Sequence, residues 1–139
     1  MISRDAANLV QEEKEVEAAK RIAGLIGPAL IAITTSEVAN LDFVEEQYRF
    51  YSYANGTVVF VAGLAIVRAH NRWTRGWPVA VTLTGWGAML VGLFRMFAPE
   101  AKQGGANIPT FIGIAIPFAA GVFLTFKAYW PGDNKTAAR

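Results

Sequence analysis

Two uncharged runs joined by a basic turn constrain this chain more than anything else in it. Phe50–Val67 and Trp77–Phe94 are each eighteen residues long and free of formal charge, and Arg68, His70, Asn71, Arg72, Trp73 and Arg75 lie between them. A run of about eighteen or more apolar residues is what a helix needs to cross the hydrocarbon core of a bilayer. Lipid offers the backbone no hydrogen bonds, so each run must be helical whatever its β-branched content suggests. The pair reads as a transmembrane helical hairpin.

Composition agrees with that reading. Of 139 residues, 53% are hydrophobic and 17% charged, and the apolar residues fall in blocks instead of alternating with polar ones. A net charge of +2 is too small to point to nucleic acid. With no cysteine and one histidine, disulfides, thiolate chemistry, cysteine-held metals and a haem held by two histidines of this chain are excluded. No cofactor and no metal site is expected.

Met1 to Arg21 is polar, with Asp5, Glu12, Glu13, Glu15 and Glu17 preceding Lys20 and Arg21. A secretory signal has the reverse order, basic first and then apolar, so no cleavage is expected. Ile2, Ala6, Leu9 and Val16 recur near helical spacing, and Glu17 and Arg21 form a favourable i,i+4 pair, which predicts a weakly amphipathic helix over about 3–20. This arm reads as a solvated extension leading into the membrane, or as a partner-binding or membrane-surface arm. Its acidic face argues against tight binding to anionic lipid.

Ile22 to Ser36 is uncharged, and Glu37 interrupts the run. At about 1.5 Å per residue, Glu37 lies about 22 Å from Ile22, inside the far leaflet. Pro28 frees the carbonyl of Gly24, which a neighbour must then satisfy, and a kink is expected near it. A fourth span follows the Gly104-Gly105 breaker, with Pro109 in its first turn and Pro117 near its centre. The fold class is therefore all-α: an integral membrane four-helix bundle with four transmembrane helices and an N-terminal amphipathic helical extension. The expected divisions are an arm over 1–21, a four-helix membrane domain over 22–130 with spans near 22–41, 50–69, 77–97 and 107–129, and a flexible tail over 131–139.

Basic residues are divided unequally between the two ends of these spans. Arg4, Lys14, Lys20, Arg21, Arg68, Arg72, Arg75, Lys127, Lys135 and Arg139 fall on one side, and Arg49, Arg95 and Lys102 on the other. The excess places both termini in the cytoplasm and the chain in the cell (inner) membrane as a multi-pass protein. Arg68, Arg72 and Arg75 are expected to set topology and to meet anionic lipid headgroups at the cytoplasmic face. The opposite side collects Glu37, Asp42, Glu45, Glu46 and Glu100. Clustered Phe50, Tyr51 and Tyr53, then Trp73 and Trp77, then Tyr129 and Trp130, read as interfacial aromatic belts.

Small residues mark where helices should touch, because close backbone approach has to hold a bundle together in lipid. Thr84, Ala88 and Gly92, with Gly85, make such a stripe on the third span. Gly56 and Gly63 do so on the second, and Gly113, Pro117 and Gly121 on the fourth. Most should pack within the chain, and one could serve as an oligomer seam. Leu90 should face lipid, and Trp86 at mid-span reads as core packing.

One polar constellation could carry chemistry. Antiparallel spans bring Ser36, Glu37, Asn55, Arg95 and Asn107, with Thr35, to similar depth near the external side. A lone charge at the centre of a membrane helix costs about 2.5 to 3.5 kcal/mol and less near the interface, so Glu37 and Arg95 should face the bundle and pair with each other or with water. The arrangement reads as a structural ion pair, or as an externally open site for an ion or proton. Arg95 could instead snorkel to the headgroups. His70, in the basic turn, is a weaker candidate, and no catalytic set is present.

In size and span number the chain is similar to the small multidrug transporters, four-helix proteins with a carboxylate in the first helix. Glu37 stands nearer the far end of its span and follows a long polar arm, and no motif carries over. The absence of a cysteine pair argues against quinone-linked disulfide enzymes of similar build. The function expected is that of a non-enzymatic accessory or complex-associated membrane subunit, with a bilayer and either further copies or a larger membrane complex as partners. The alternative is a small oligomeric transporter or channel component using Glu37 and Arg95.

Overall fold

The computed structural model describes residues 3–41, 48–99 and 108–130. Asn107, the acidic residues Asp42, Glu45, Glu46 and Glu100, and the tail 131–139 lie outside them. The described residues form four helices, α1 (Arg4–Ala39), α2 (Tyr48–Ala69), α3 (Val79–Phe97) and α4 (Ile108–Tyr129). All four are long and apolar enough to cross a membrane.

The arm and the first span are one helix of 36 residues. The Ser3 hydroxyl caps its start by accepting from the Ala6 amide at 3.3 Å, and Asp5 lies in the first turn, where the helix dipole favours an anion. At the other end Asn40 donates its amide to Ser36 O at 3.1 Å and its side chain to the same carbonyl at 2.8 Å. Nothing breaks the helix at the polar-to-apolar boundary around Arg21, because that boundary holds good helix formers and no glycine or proline. The Glu17–Arg21 pair is absent: neither side chain has an ion-pair partner among the described residues.

The helices associate as two antiparallel pairs, α2 with α3 and α1 with α4, and the pairs touch each other far more sparingly. A Cβ on Gly63 would lie 2.5 Å from the Met89 amide nitrogen, and one on Gly56 3.0 Å from Gly92 O, so α2 and α3 meet backbone to backbone. A Cβ on Gly27 would lie 2.7 Å from the Thr125 nitrogen, and one on Gly121 2.9 Å from Gly27 O, which puts α1 equally close to α4. The glycine stripes are thus spent within the chain, with one departure: Gly113 has nothing within 4 Å and lies open. Leu90 is exposed as expected for a lipid-facing residue.

A small apolar core joins the pairs at the end bearing the α2–α3 turn. Ala19 and Ala23 of α1, Val81 of α3 and Leu124 of α4 are fully buried there, with Ile22, Ile26, Ile66 and Trp77 against them. The turn closes on Thr82, whose hydroxyl accepts from the Arg72 amide at 3.2 Å and donates to Arg72 O at 3.0 Å. Gly76, at φ +153°, supplies the backbone conformation that other residues rarely adopt, just ahead of Pro78 at the head of α3. Trp86 is not core. It is 38% exposed, and its indole N–H reaches Asn71 Oδ1 at 3.4 Å, beside that of Trp73 at 3.1 Å. This contact joins the third span to the turn, and helical spacing does not register it.

Candidate functional site

Three of the five polar residues singled out from the sequence meet at one end of the bundle, each from a different helix. Glu37 sits in the last turn of α1, Asn55 two turns into α2, and Arg95 in the last turn of α3. Asn55 Nδ2 donates to Glu37 Oε1 at 3.2 Å, and Arg95 Nη1 lies 3.9 Å from the same oxygen. The first is a hydrogen bond and the second an ion pair just beyond hydrogen-bond length. Gly56 makes room for it: a Cβ there would stand 2.8 Å from Arg95 Cβ, so only a glycine lets the base of the arginine lie against α2.

The remaining two residues do not join them. Ser36 is exposed, and its hydroxyl lies 3.5 Å from Asn40 Nδ2 on its own helix. Asn107 falls outside the described residues. Thr35 turns back on its own backbone, donating to Ile31 O at 2.7 Å.

Glu37 and Arg95 keep side-chain exposures of 16% and 22%. A carboxylate so placed gains from a hydrogen bond and a nearby cation without bearing the full desolvation cost of a sealed pair. The arrangement ties the α1–α4 pair to the α2–α3 pair, which otherwise meet mainly at the opposite end. A second ion pair does the same at the turn end, where Arg72 Nη1 lies 3.4 Å from Glu15 Oε1. Arg72 thus engages the arm, whereas Arg68 and Arg75 are exposed. His70 is 3% exposed, and its Nε2 has no hydrogen-bond partner among the described residues. No group of three or more His, Asp or Glu that could hold a metal ion occurs among the described residues.

The contact that answers Pro28 could not be named in advance. Proline deprives Gly24 O of its helical donor, and Tyr129, 105 residues away on α4, donates its hydroxyl to that carbonyl at 3.0 Å. The proline signalled an orphan acceptor, but only the fold identifies which aromatic reaches it. Thr82 and the Glu15–Arg72 pair were likewise invisible, since each joins ordinary residues across a turn. Compared with family models, curated proteins and solved structures, the chain matches none of them.

Proposed function

We propose that this chain is a non-enzymatic accessory subunit of a larger membrane complex, sitting in the cell (inner) membrane with both termini cytoplasmic. The observation that carries this reading is the double engagement of Glu37 Oε1 by Asn55 and Arg95. A carboxylate built to cycle an ion or proton needs a free face, whereas this one holds three helices together. Gly87 on α3 and Gly113 on α4, with nothing within 4 Å of either, leave close-approach positions on the outer surface where a neighbouring membrane helix could seat. Arg68 and Arg75 would meet anionic lipid at the cytoplasmic face.

The residual exposure of Glu37 and Arg95 favours a second reading, a small oligomeric transporter or channel component with an outward-facing polar site. Reconstitution in vesicles containing a pH-sensitive dye separates the two. The accessory reading expects no flux that Glu37→Gln alters, and extraction in mild detergent as a particle larger than the chain itself, reduced in size by Gly87→Leu or Gly113→Leu. Glu37-dependent flux from the isolated chain would overturn it. Orientation is checked by single cysteines in this cysteine-free sequence. One at Asn71 should be shielded from an impermeant external reagent in intact cells and one at Gln103 labelled, and the opposite result would reverse the topology.

A further inference from the structure

At the level where α4 stops, α1 continues with one face against the α2–α3 turn, through Ala19 and Glu15, and on its other face a recess of about 320 Å³ is lined, among the described residues, by Lys14, Glu17, Ala18, Arg21 and Ile22. The level is that of a membrane interface. Ile22 begins the uncharged run, and Tyr129, the last residue of α4, bonds to Gly24. Trp130 beyond it stacks on Phe126 with ring centroids 4.8 Å apart and stays 58% exposed, the amphipathic placement that aromatic residues take among headgroups. The five lining residues fall at i, i+3, i+4, i+7 and i+8, one continuous face of the helix. Ile22 itself packs against the buried core, so the floor of the recess is fixed.

The charges on this face are ordered. Going outward from the hydrocarbon they run apolar (Ile22), cationic (Arg21), anionic (Glu17, beside the small Ala18) and cationic (Lys14), with about 6 Å of rise between Arg21 and Glu17. None of the three charged side chains is paired with another: neither Glu17–Arg21 nor Lys14–Glu17 closes to an ion pair, although both spacings permit one.

We propose that this recess binds the headgroup of an aminophospholipid, a phosphate diester whose alcohol carries a primary ammonium, with ethanolamine as its smallest form. A phospholipid presents its groups in the complementary order. Its acyl chains lie deepest, against Ile22 and the exposed Leu25 below it. Its phosphate stands at the level of Arg21, whose planar fork suits a phosphate oxygen pair. Its ammonium stands outermost, at Glu17. Lys14 closes the outer rim and would meet the carboxylate of a serine headgroup. A purely anionic lipid satisfies Arg21 but sets a hydroxyl or a second negative charge against Glu17. A choline headgroup brings a cation with no N–H to donate.

Native mass spectrometry of the full chain in detergent, titrated with ethanolamine, glycerol, choline and serine phospholipids of identical acyl chains, tests this. Ethanolamine and serine lipids should be retained in preference to the glycerol and choline forms. Glu17→Gln should reduce that preference about tenfold, the loss of one hydrogen bond between charged groups. Ala18→Trp, which fills the space between Arg21 and Glu17 while leaving every charge in place, should lower retention of all four. Both substitutions lie on an exposed face outside the uncharged runs, and circular dichroism verifies that helix content is unchanged. Equal retention of the four lipids, an unaltered preference in Glu17→Gln, or displacement by inorganic phosphate as readily as by soluble glycerophosphoethanolamine would overturn the proposal.

Discussion

The α2–α3 seam and the α1–α4 seam are built from the same residue and held by different means. Between α2 and α3, glycines face each other in two layers, Gly56 with Gly92 and Gly63 with Gly85, and no side-chain hydrogen bond crosses from helix to helix among the described residues. Between α1 and α4 there is one such layer, Gly27 with Gly121, and one turn away the Tyr129 hydroxyl bonds to Gly24 O. The first pair is joined by a turn of nine residues, 70–78, which already fixes which turn of one helix meets which turn of the other. The second pair is formed by the first and last helices, so chain connectivity specifies little. A directional bond therefore sets the register that the connection leaves open, while dispersion alone suffices where the connection is short.

The strongest test of this contrast is Gly92→Leu. Even a Cβ at Gly92 would run into the Phe60 backbone, so α2 and α3 must part, and a loss of about 1 to 3 kcal/mol or more is expected as a fall in folded yield in detergent. Gly121→Leu should act on the other seam, but there the nearest atom, Gly27 O, stands 2.9 Å from the added Cβ, farther off than the Phe60 backbone is at Gly92, so its effect should be the smaller of the two. If Gly121→Leu proved the more damaging, the two-layer seam would not be the sturdier one.

Next in size is the link between the pairs. Glu37→Gln and Arg95→Gln should each cost about 1 to 2 kcal/mol, below the range for sealed ion pairs because both ends keep some solvent, and the double variant should recover much of the loss. A double-mutant cycle on unfolding in detergent reads the coupling directly. Additive losses would mean that the two pairs of helices are not joined through this contact.

Tyr129→Phe removes only the bond to Gly24 and should cost about 0.6 kcal/mol, typical of a hydrogen bond between membrane helices. Its signature is specificity more than stability: a cysteine pair placed across α1 and α4 should cross-link in more than one register in the variant and in one register in the parent. A single register in both would show that Gly27 and Gly121 align the helices unaided. Gly113→Leu is the smallest perturbation. With open space around that position, the isolated chain should unfold like the parent, and a large loss there would put Gly113 in a seam of this chain after all.

The spans were legible in the sequence because lipid makes one demand, an unbroken apolar length, and residues 50–67 and 77–94 meet it in plain view. The continuity of α1 was not, since a change from polar to apolar reads as a boundary although the backbone needs none. Glu37, Asn55 and Arg95 could be brought to one depth by counting along antiparallel helices. Ser36 reached the same depth but points elsewhere, because depth fixes height along a helix and leaves rotation about its axis undetermined. Rotation is decided by glycine-to-glycine approach, which is a property of two surfaces together. The aromatic bonds of Asn71 and Tyr129 fall in the same class.

The 36-residue α1 is one continuous rod with a proline inside it. Glu15 pins one end to Arg72 and Glu37 pins the other to Asn55 and Arg95, about 33 Å apart along the axis, with Pro28 between the two fastenings. Proline is where such a rod bends most easily, and Tyr129 braces it there from α4. A force applied to the arm would therefore run along one continuous helix toward the contact of Glu37 with Asn55 and Arg95, and the brace at Gly24 would set whether it arrives as tilt of the whole helix or as flexure at its middle.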